Sequence, residues 1–304
     1  MKKILMLSLV FLSSLMSCSA QKSYGIVYYG GGSMHYYVED IKPNEEMDVI
    51  IPSEYRGQRV DGFKPSTKIS KDSKIRYLTT PETFKKIDSY VFYEHENIKG
   101  LTVSKGTAFI GASSFYSCHL TFVNLPSTLT TIGEYAFCGT DITRVDIPST
   151  VTDIGRGAFS GCLYLEDITY SGYEKNFYVV DGVLYEDKTD KILAFPCGRT
   201  GTIKLSEYCK TIYSFDIKST KATSIEFPKK ITKIPDRLMS YATNLESVII
   251  YNKVASIGDN AFGICNNLKT IYFYGTQEEW NNIKIDKTKN KPIAEAEVVF
   301  MSTT

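Results

Sequence analysis

The sequence predicts a repeat solenoid: a right-handed, curved array with one β-strand per turn of about 22–23 residues. Three observations predict it. The phrase Val123–Gly139 returns, identical at 10 of its 17 positions, as Val145–Gly161, 22 residues on (145 − 123). An isoleucine recurs at Ile87, Ile110, Ile132, Ile154, Ile212, Ile234 and Ile257, in steps of 23, 22, 22, 58, 22 and 23. Nine residues before each of these anchors stands an apolar residue: Leu78, Leu101, Val123, Val145, Ile203, Ile225 and Val248.

Each unit has a physical reading. Val145 and Ile147 are two apart, so on a strand they point to the same side. Pro148 ends that strand, because it has no ladder donor. Ile154 turns inward again, Gly155 permits a tight turn, and Ala158 and Phe159 fill the interior. Cys162 and Leu165 close the turn. One unit is too small to fold alone, and stacking at the interstrand spacing of ~4.8 Å builds continuous ladders. A period in this range is that of leucine-rich-repeat solenoids. The solenoid is expected over residues 49–275, with Val49–Val60 a looser first copy and Ile271–Phe273 the strand of a last half copy.

The step of 58 marks one enlarged repeat, at 170–200. Asp181-Gly182 lies between apolar runs and predicts a hairpin turn. Its apolar content favours a structural hairpin continuing the sheet over a solvent protrusion. The ends read as caps, since a stack must close its terminal turns. Residues 24–48 predict an N-terminal β-hairpin around Gly30-Gly31-Gly32. Residues 276–304 predict a C-terminal cap: Thr276-Gln-Glu-Glu279 is a capping box, Trp280 covers the core, and Glu297–Phe300 is an edge strand.

Composition excludes several function classes. Lys+Arg 35 against Asp+Glu 34 leaves +1, so nothing asks for nucleic acid. The N-terminus reads as an export signal over 1–17: Lys2 and Lys3, then an apolar run from Ile4 to Leu12 too short to span a bilayer. Leu15-Met16-Ser17-Cys18 looks like a bacterial lipobox, which makes Cys18 the lipidation site and 18–23 a tether. The cell envelope, with an anchor in the outer membrane, is the expected location; surface and periplasmic faces both stay open, and a monomer is expected.

Six cysteines remain in the mature part. Cys118, Cys162 and Cys265 lie 8 residues past their anchors and Cys138 lies 6 past its own, so they read as small buried hydrophobes. Cys197 and Cys209 are off-register and are the pair to consider if a disulfide exists.

The repeat can be written Ile-x-Ile-Pro-x-x-(Val/Leu)-Thr-x-Ile-Gly-x-x-Ala-Phe-x-Gly-Cys-x-x-Leu, complete at Val145–Leu165 and close at Val123–Gly139 and Val248–Leu268. It resembles the BspA-like subclass of leucine-rich repeats, found in surface proteins of Bacteroidetes and in some protists. The insert at Asn176–Pro196 and the ending Tyr274–Trp280 also look like elements of that family. Ile234-Pro-Asp-Arg-Leu238 departs from the pattern, lacking the Gly and the Ala-Phe. The resemblance implies a non-catalytic, extracytoplasmic role in binding or adhesion, to host extracellular proteins or to other bacteria. It carries over no catalytic residue.

The residues agree on the absence of chemistry. His35, His95 and His119 form no metal-ligand spacing, no cofactor motif is present, and Cys118 beside His119 sits on a core position where thiols are inert. Binding is the better reading. Residues between the inward strand positions form an outward column: Thr102, Asn124, Asp146, Thr169, Lys204, Glu226, Ile249 and Tyr272. Its C-terminal end is apolar and has Tyr251 and Tyr274 close by, so it predicts an interaction patch for a protein or glycan partner, host extracellular matrix included. The alternative is a structural component of the envelope without an adhesive role.

Overall fold

The structure is a computed structural model that describes residues 26–30, 35–43, 45–172, 176–213 and 217–302. The expected signal segment, Cys18 and the tether lie outside the described residues, as do Gly31 and Gly32 of the hairpin turn.

The chain is a β-solenoid of about 11 turns with stacked parallel strands. The apolar residues read from the repeat become direct partners. Val49 pairs with Leu78, Leu78 with Leu101, and Leu101 with Val123. Val145 pairs with Ile168, and Ile203, Ile225, Val248 and Ile271 follow one another in a five-stranded sheet. A constant offset along the chain gives a constant position in the stack, and strand alternation turns all of them inward. Of the seven that precede anchors, only Val123 is half-buried; the rest are fully buried.

The anchors build a second ladder of two-residue strands. Ile87, Ile110, Ile132 and Ile154 form one stretch, and Ile234 and Ile257, joined by Ile285, form another. Ile212 is buried but outside any strand, so this second ladder is interrupted in mid-molecule. Behind the anchors runs a column of rings: Phe92, Phe115, Phe137 and Phe159, with centroids 5.3, 5.5 and 5.6 Å apart and planes within 10° of parallel. Each ring is buried, which stabilises by about 1.5–3 kcal/mol per side chain.

The glycine after the anchor has a different cause from the tight turn expected at Gly155. A Cβ on Gly155 would lie 2.3 Å from the Glu134 nitrogen in the preceding turn. Gly111 and Gly133 meet the preceding turn in the same way, at 2.4 Å and 2.6 Å. What the position needs is close approach of backbone to backbone.

The cysteines pack as expected and more. Cys118, Cys162 and Cys265 are buried, and each thiol points at a carbonyl of the previous turn: Phe92, Phe137 and Met239. Cys138 is half-buried. Cys197 and Cys209 are both buried thiols and are not joined, so the pair to consider from the sequence is not a disulfide. His95 occupies the place of Cys118 one turn earlier and is fully buried.

The enlarged repeat is structural, but it does not continue the parallel sheet. Phe177–Val180, Val183–Glu186 and Lys191–Ala194 form their own antiparallel three-stranded sheet. Val183, Leu184 and Tyr185 are fully buried, Leu184 in the N-terminal core cluster and its two neighbours in the C-terminal one. The meander therefore joins two halves of the core. Asp181 fastens it: its carboxylate accepts from the Lys204 backbone N–H at 2.7 Å and pairs with Arg199 at 2.9 Å.

At the N-terminal end, Ile26–Gly30 and His35–Ile41 pair antiparallel, within a four-stranded sheet that also takes Gln58–Phe63 and Glu54–Tyr55. At the other end, Gln277–Asn281 is a helix with its capping box formed, Thr276 and Glu279 exchanging bonds. Trp280 stands edge-on to Phe273 at 5.2 Å. Glu297–Met301 pairs parallel with Thr270–Tyr274 as the outermost strand. Between them, Asn290 is fully buried and donates to the Gly258 carbonyl at 3.0 Å, a tie that the polar run Asn281–Pro292 did not announce.

Candidate binding face

Strand pairing places the outward column side by side. Thr102 lies against Asn124, Asp146 against Thr169, and Lys204, Glu226, Ile249 and Tyr272 follow in unbroken register. Asn124, Asp146, Lys204 and Tyr272 are exposed; Thr102, Thr169, Glu226 and Ile249 are half-buried. The pairing stops between Asn124 and Asp146, and again between Thr169 and Lys204, where the meander intervenes.

The middle of the face is a band of charges that hold one another. Arg144 donates to Asp146 at 3.0 Å and reaches Asp167 at 3.3 Å. Thr169 also donates to Asp146. The Arg144 guanidinium, then the Thr169 hydroxyl, keep the Asp146 carboxyl below its ordinary range. Lys204 and Glu226 pair at 3.1 Å. These side chains are preset in position, and as solvent-exposed pairs they add little stability.

The C-terminal end is apolar. Alternation in Ser247–Tyr251 and Thr270–Tyr274 sends Val248, Ile250, Ile271 and Phe273 inward, where they are buried. Ile249, Tyr251, Tyr272 and Tyr274 are left on the outward side. Tyr251 and Tyr274 stack at 4.8 Å, and the Tyr251 hydroxyl donates to Glu226 at 3.0 Å. Burial first, and then that carboxylate, push the Tyr251 pKa up. Neither tyrosine turns inward.

Sequence reasoning missed two groups on this face. Val299 and Met301 pair with Tyr272 and Tyr274 and extend the apolar patch onto the last strand. Tyr77 and Phe122 stand at the N-terminal end, 38% and 43% exposed, with ring centroids 5.8 Å apart. They meet across Gly100, where a Cβ would lie 2.2 Å from Phe122 and 2.6 Å from Tyr77. The signal was available: the residue before each inward strand position faces outward as surely as the one after it.

Cys118 and His119 do not form a pair. The thiol is buried, pushed up to about 12 by that burial, and turned to the Phe92 carbonyl. His119 points outward to Asp141 at 2.8 Å. Among the described residues no three His, Cys, Asp or Glu side chains converge as a metal site requires, and no helix is long and apolar enough to cross a membrane.

With strand pairing, anchor ladder and outward face in place, the comparison with known proteins is direct. The sequence profile of the BspA type leucine rich repeat region matches in six copies, over residues 67–181 and 194–289. The chain belongs to the BspA type leucine-rich-repeat family. Solved structures are similar in fold. A leucine-rich repeat protein from Eubacterium ventriosum is 20% identical, with a TM-score of 0.53 covering 80% of this chain and 68% of that one. The pneumococcal vaccine antigen PcpA is 14% identical, with a TM-score of 0.51 covering 94% and 99%. A leucine-rich repeat protein from Bacteroides ovatus is 19% identical at a TM-score of 0.42, covering 91% and 98%. No curated protein matches. In this BspA type array the recurring letters fill the interior, and the variable letters face outward.

Proposed function

We propose that the chain is a lipid-anchored, non-catalytic repeat protein of the cell envelope that binds a protein or glycan partner through its sheet face, in adhesion to a host or to other cells. One observation carries the reading. Ile249, Tyr251, Tyr272, Tyr274, Val299 and Met301 are contiguous by strand pairing on the outward side of the sheet, beside a preset band of charges. Aromatic groups in an apolar centre with a polar rim are what binding surfaces use for affinity. The resemblance of Leu15–Cys18 to a lipobox supports the anchor, and the family supports an extracytoplasmic setting.

The test changes Ile249 and Tyr272 to Asp together and measures capture of extracellular matrix proteins and of bacterial surface glycans. Loss of capture with an unchanged melting temperature is expected. Undiminished capture by the folded double variant removes the patch from the reading. Replacing Cys18 by Ala is expected to release the protein from the membrane fraction, and retention there refutes the anchor. Protease treatment of whole cells then separates the surface from the periplasmic face.

A further inference from the structure

The N-terminal end of the sheet face carries an aromatic group of its own, far along the stack from Ile249 and Tyr272, and strand register sets its neighbours. Tyr77, Gly100 and Phe122 stand opposite one another on three consecutive strands, Ile75–Thr79, Gly100–Thr102 and Phe122–Asn124. Asp48 pairs with Tyr77 on one side. On the other, the Thr143 N–H donates to the Thr121 carbonyl at 3.3 Å, which brings Arg144 next to Phe122, and Asp167 pairs with Arg144. One outward row therefore reads acid, ring, glycine, ring, cation, acid. The row beside it holds Thr79, Thr102 and Asn124, two hydroxyls and an amide.

Strands lie ~4.8 Å apart, so Tyr77 and Phe122 start about 10 Å apart at the backbone. Their ring centroids are only 5.8 Å apart, with planes 32° apart. Both rings lean inward over Gly100, the one place in the row without a side chain. They form one aromatic surface that is open to solvent. Each end of it is bounded by an arginine held in place. Arg76, 5.4 Å from the Tyr77 ring, donates through Nε and Nη2 to Asp48 at 3.0 Å each. Arg144 is held by Asp146 and Asp167.

These features select the chemistry of a ligand. Carboxylates match both arginines, so the row offers no unpaired cation to an anionic ligand. Strands Ile75–Thr79 and Gly100–Thr102 are paired on both edges, so their backbone is closed to an added peptide strand. Two rings are too small an apolar area for the centre of a protein interface. They match a single small apolar face ringed by hydrogen-bonding groups. A sugar has that shape: C–H bonds gather on one face of its ring, and hydroxyls lie round the rim. Stacking on an aromatic ring takes the C–H face out of water, while preset carboxylates and guanidinium groups bond the hydroxyls. We propose that Tyr77 and Phe122 are a stacking platform for a neutral oligosaccharide, whose hydroxyls are bound by Asp48 and Arg76 on one side and by Arg144 and Asp146 on the other. The platform is part of the sheet face already read as the binding face, and the proposal rests on that reading. From Asp48 to Asp167 the row spans five strand spacings, ~24 Å, so it takes several sugar units in line.

The experiment titrates the full chain calorimetrically with cellohexaose, mannohexaose and maltohexaose, and with hexagalacturonate as the anionic control. At least one neutral probe is expected to bind, and the anionic one to bind at least tenfold more weakly than it. Tyr77→Ala and Phe122→Ala are each expected to weaken neutral binding at least tenfold, with folding checked by urea unfolding. Asp48→Asn, at an exposed position outside the core, is expected to weaken it at least threefold, and serves if a ring variant fails to fold. Changing Ile249 and Tyr272 to Asp together is expected to leave it intact. Failure of all three neutral probes to bind overturns the proposal, and so does preference for hexagalacturonate. Neutral binding that survives both ring changes also overturns it. If that binding is lost with Ile249 and Tyr272 instead, the sheet face stands as the binding face and the sugar belongs at its other end. Capture of matrix proteins that is lost in the ring variants, with no sugar bound, overturns the sugar and assigns the platform to a protein partner.

Discussion

The sharpest consequence of the ladder packing concerns His95. It stands in the column where Cys118, Cys162 and Cys265 stand in other turns, and it is fully buried. Its Nδ1 accepts from the Ile98 N–H at 3.3 Å, so the neutral ring carries its proton on Nε2, which has no partner among the described residues. Protonating Nδ1 would set a donor against a donor in an apolar site. Burial lowers the pKa from 6.5 to about 4, with nearby Asp72 only partly offsetting it. The unfolded chain takes up this proton below about 6.5, and the folded chain resists until about 4. The stabilisation is therefore whole above 6.5 and declines as pH falls through that window. Linkage gives a loss of about 2 kcal/mol by pH 5 and about 3 kcal/mol near pH 4. Urea unfolding at pH 7.5 and pH 5, on the native protein and on His95→Cys, measures it. The Cys variant restores the ladder residue and cancels contributions from His35 and His119. Its stability is expected to fall about 2 kcal/mol less than that of the native protein between the two pH values. Equal losses would refute the assignment of His95 as a buried neutral base.

Two further outcomes are expected from the same packing. Burial pushes Cys118, Cys162, Cys197 and Cys265 up to about 12, so iodoacetamide at pH 8 should spare them in the native protein and label them after unfolding, with half-buried Cys138 labelled first. Rapid native labelling of the four, read by peptide mass mapping, would contradict it. Gly133→Ala should cost about 1–3 kcal/mol, because its Cβ would lie 2.6 Å from the Ala112 nitrogen in a backbone contact that cannot yield. A change below about 0.5 kcal/mol in urea unfolding would show that the turns can spread there.

Much of the molecule was legible in the sequence because the repeat amplifies weak signals. One isoleucine predicts little, but seven in steps of 22 or 23 on either side of one enlarged repeat, each with an apolar residue nine before it, set the register that the strand pairs display. The outward column from Thr102 to Tyr272 followed from the same register and strand alternation. Tyr77, Phe122, Val299 and Met301 were overlooked by following one outward column and treating the last strand as an edge alone. The reason for Gly155 was misread, since a turn and a close approach select the same residue.

By itself, then, the sequence determined the solenoid, its period and the division between inward and outward letters. These depend on local alternation and on repetition, which a linear string records in full. Only the tertiary structure decided what happens where repetition fails. The Asp181-Gly182 hairpin was visible, but its placement between two halves of the core was not, nor the burial of Cys197 and Cys209 as separate thiols. The break of the second ladder at Ile212, buried but outside any strand, is likewise a fact about stacking in space, which local alternation does not record.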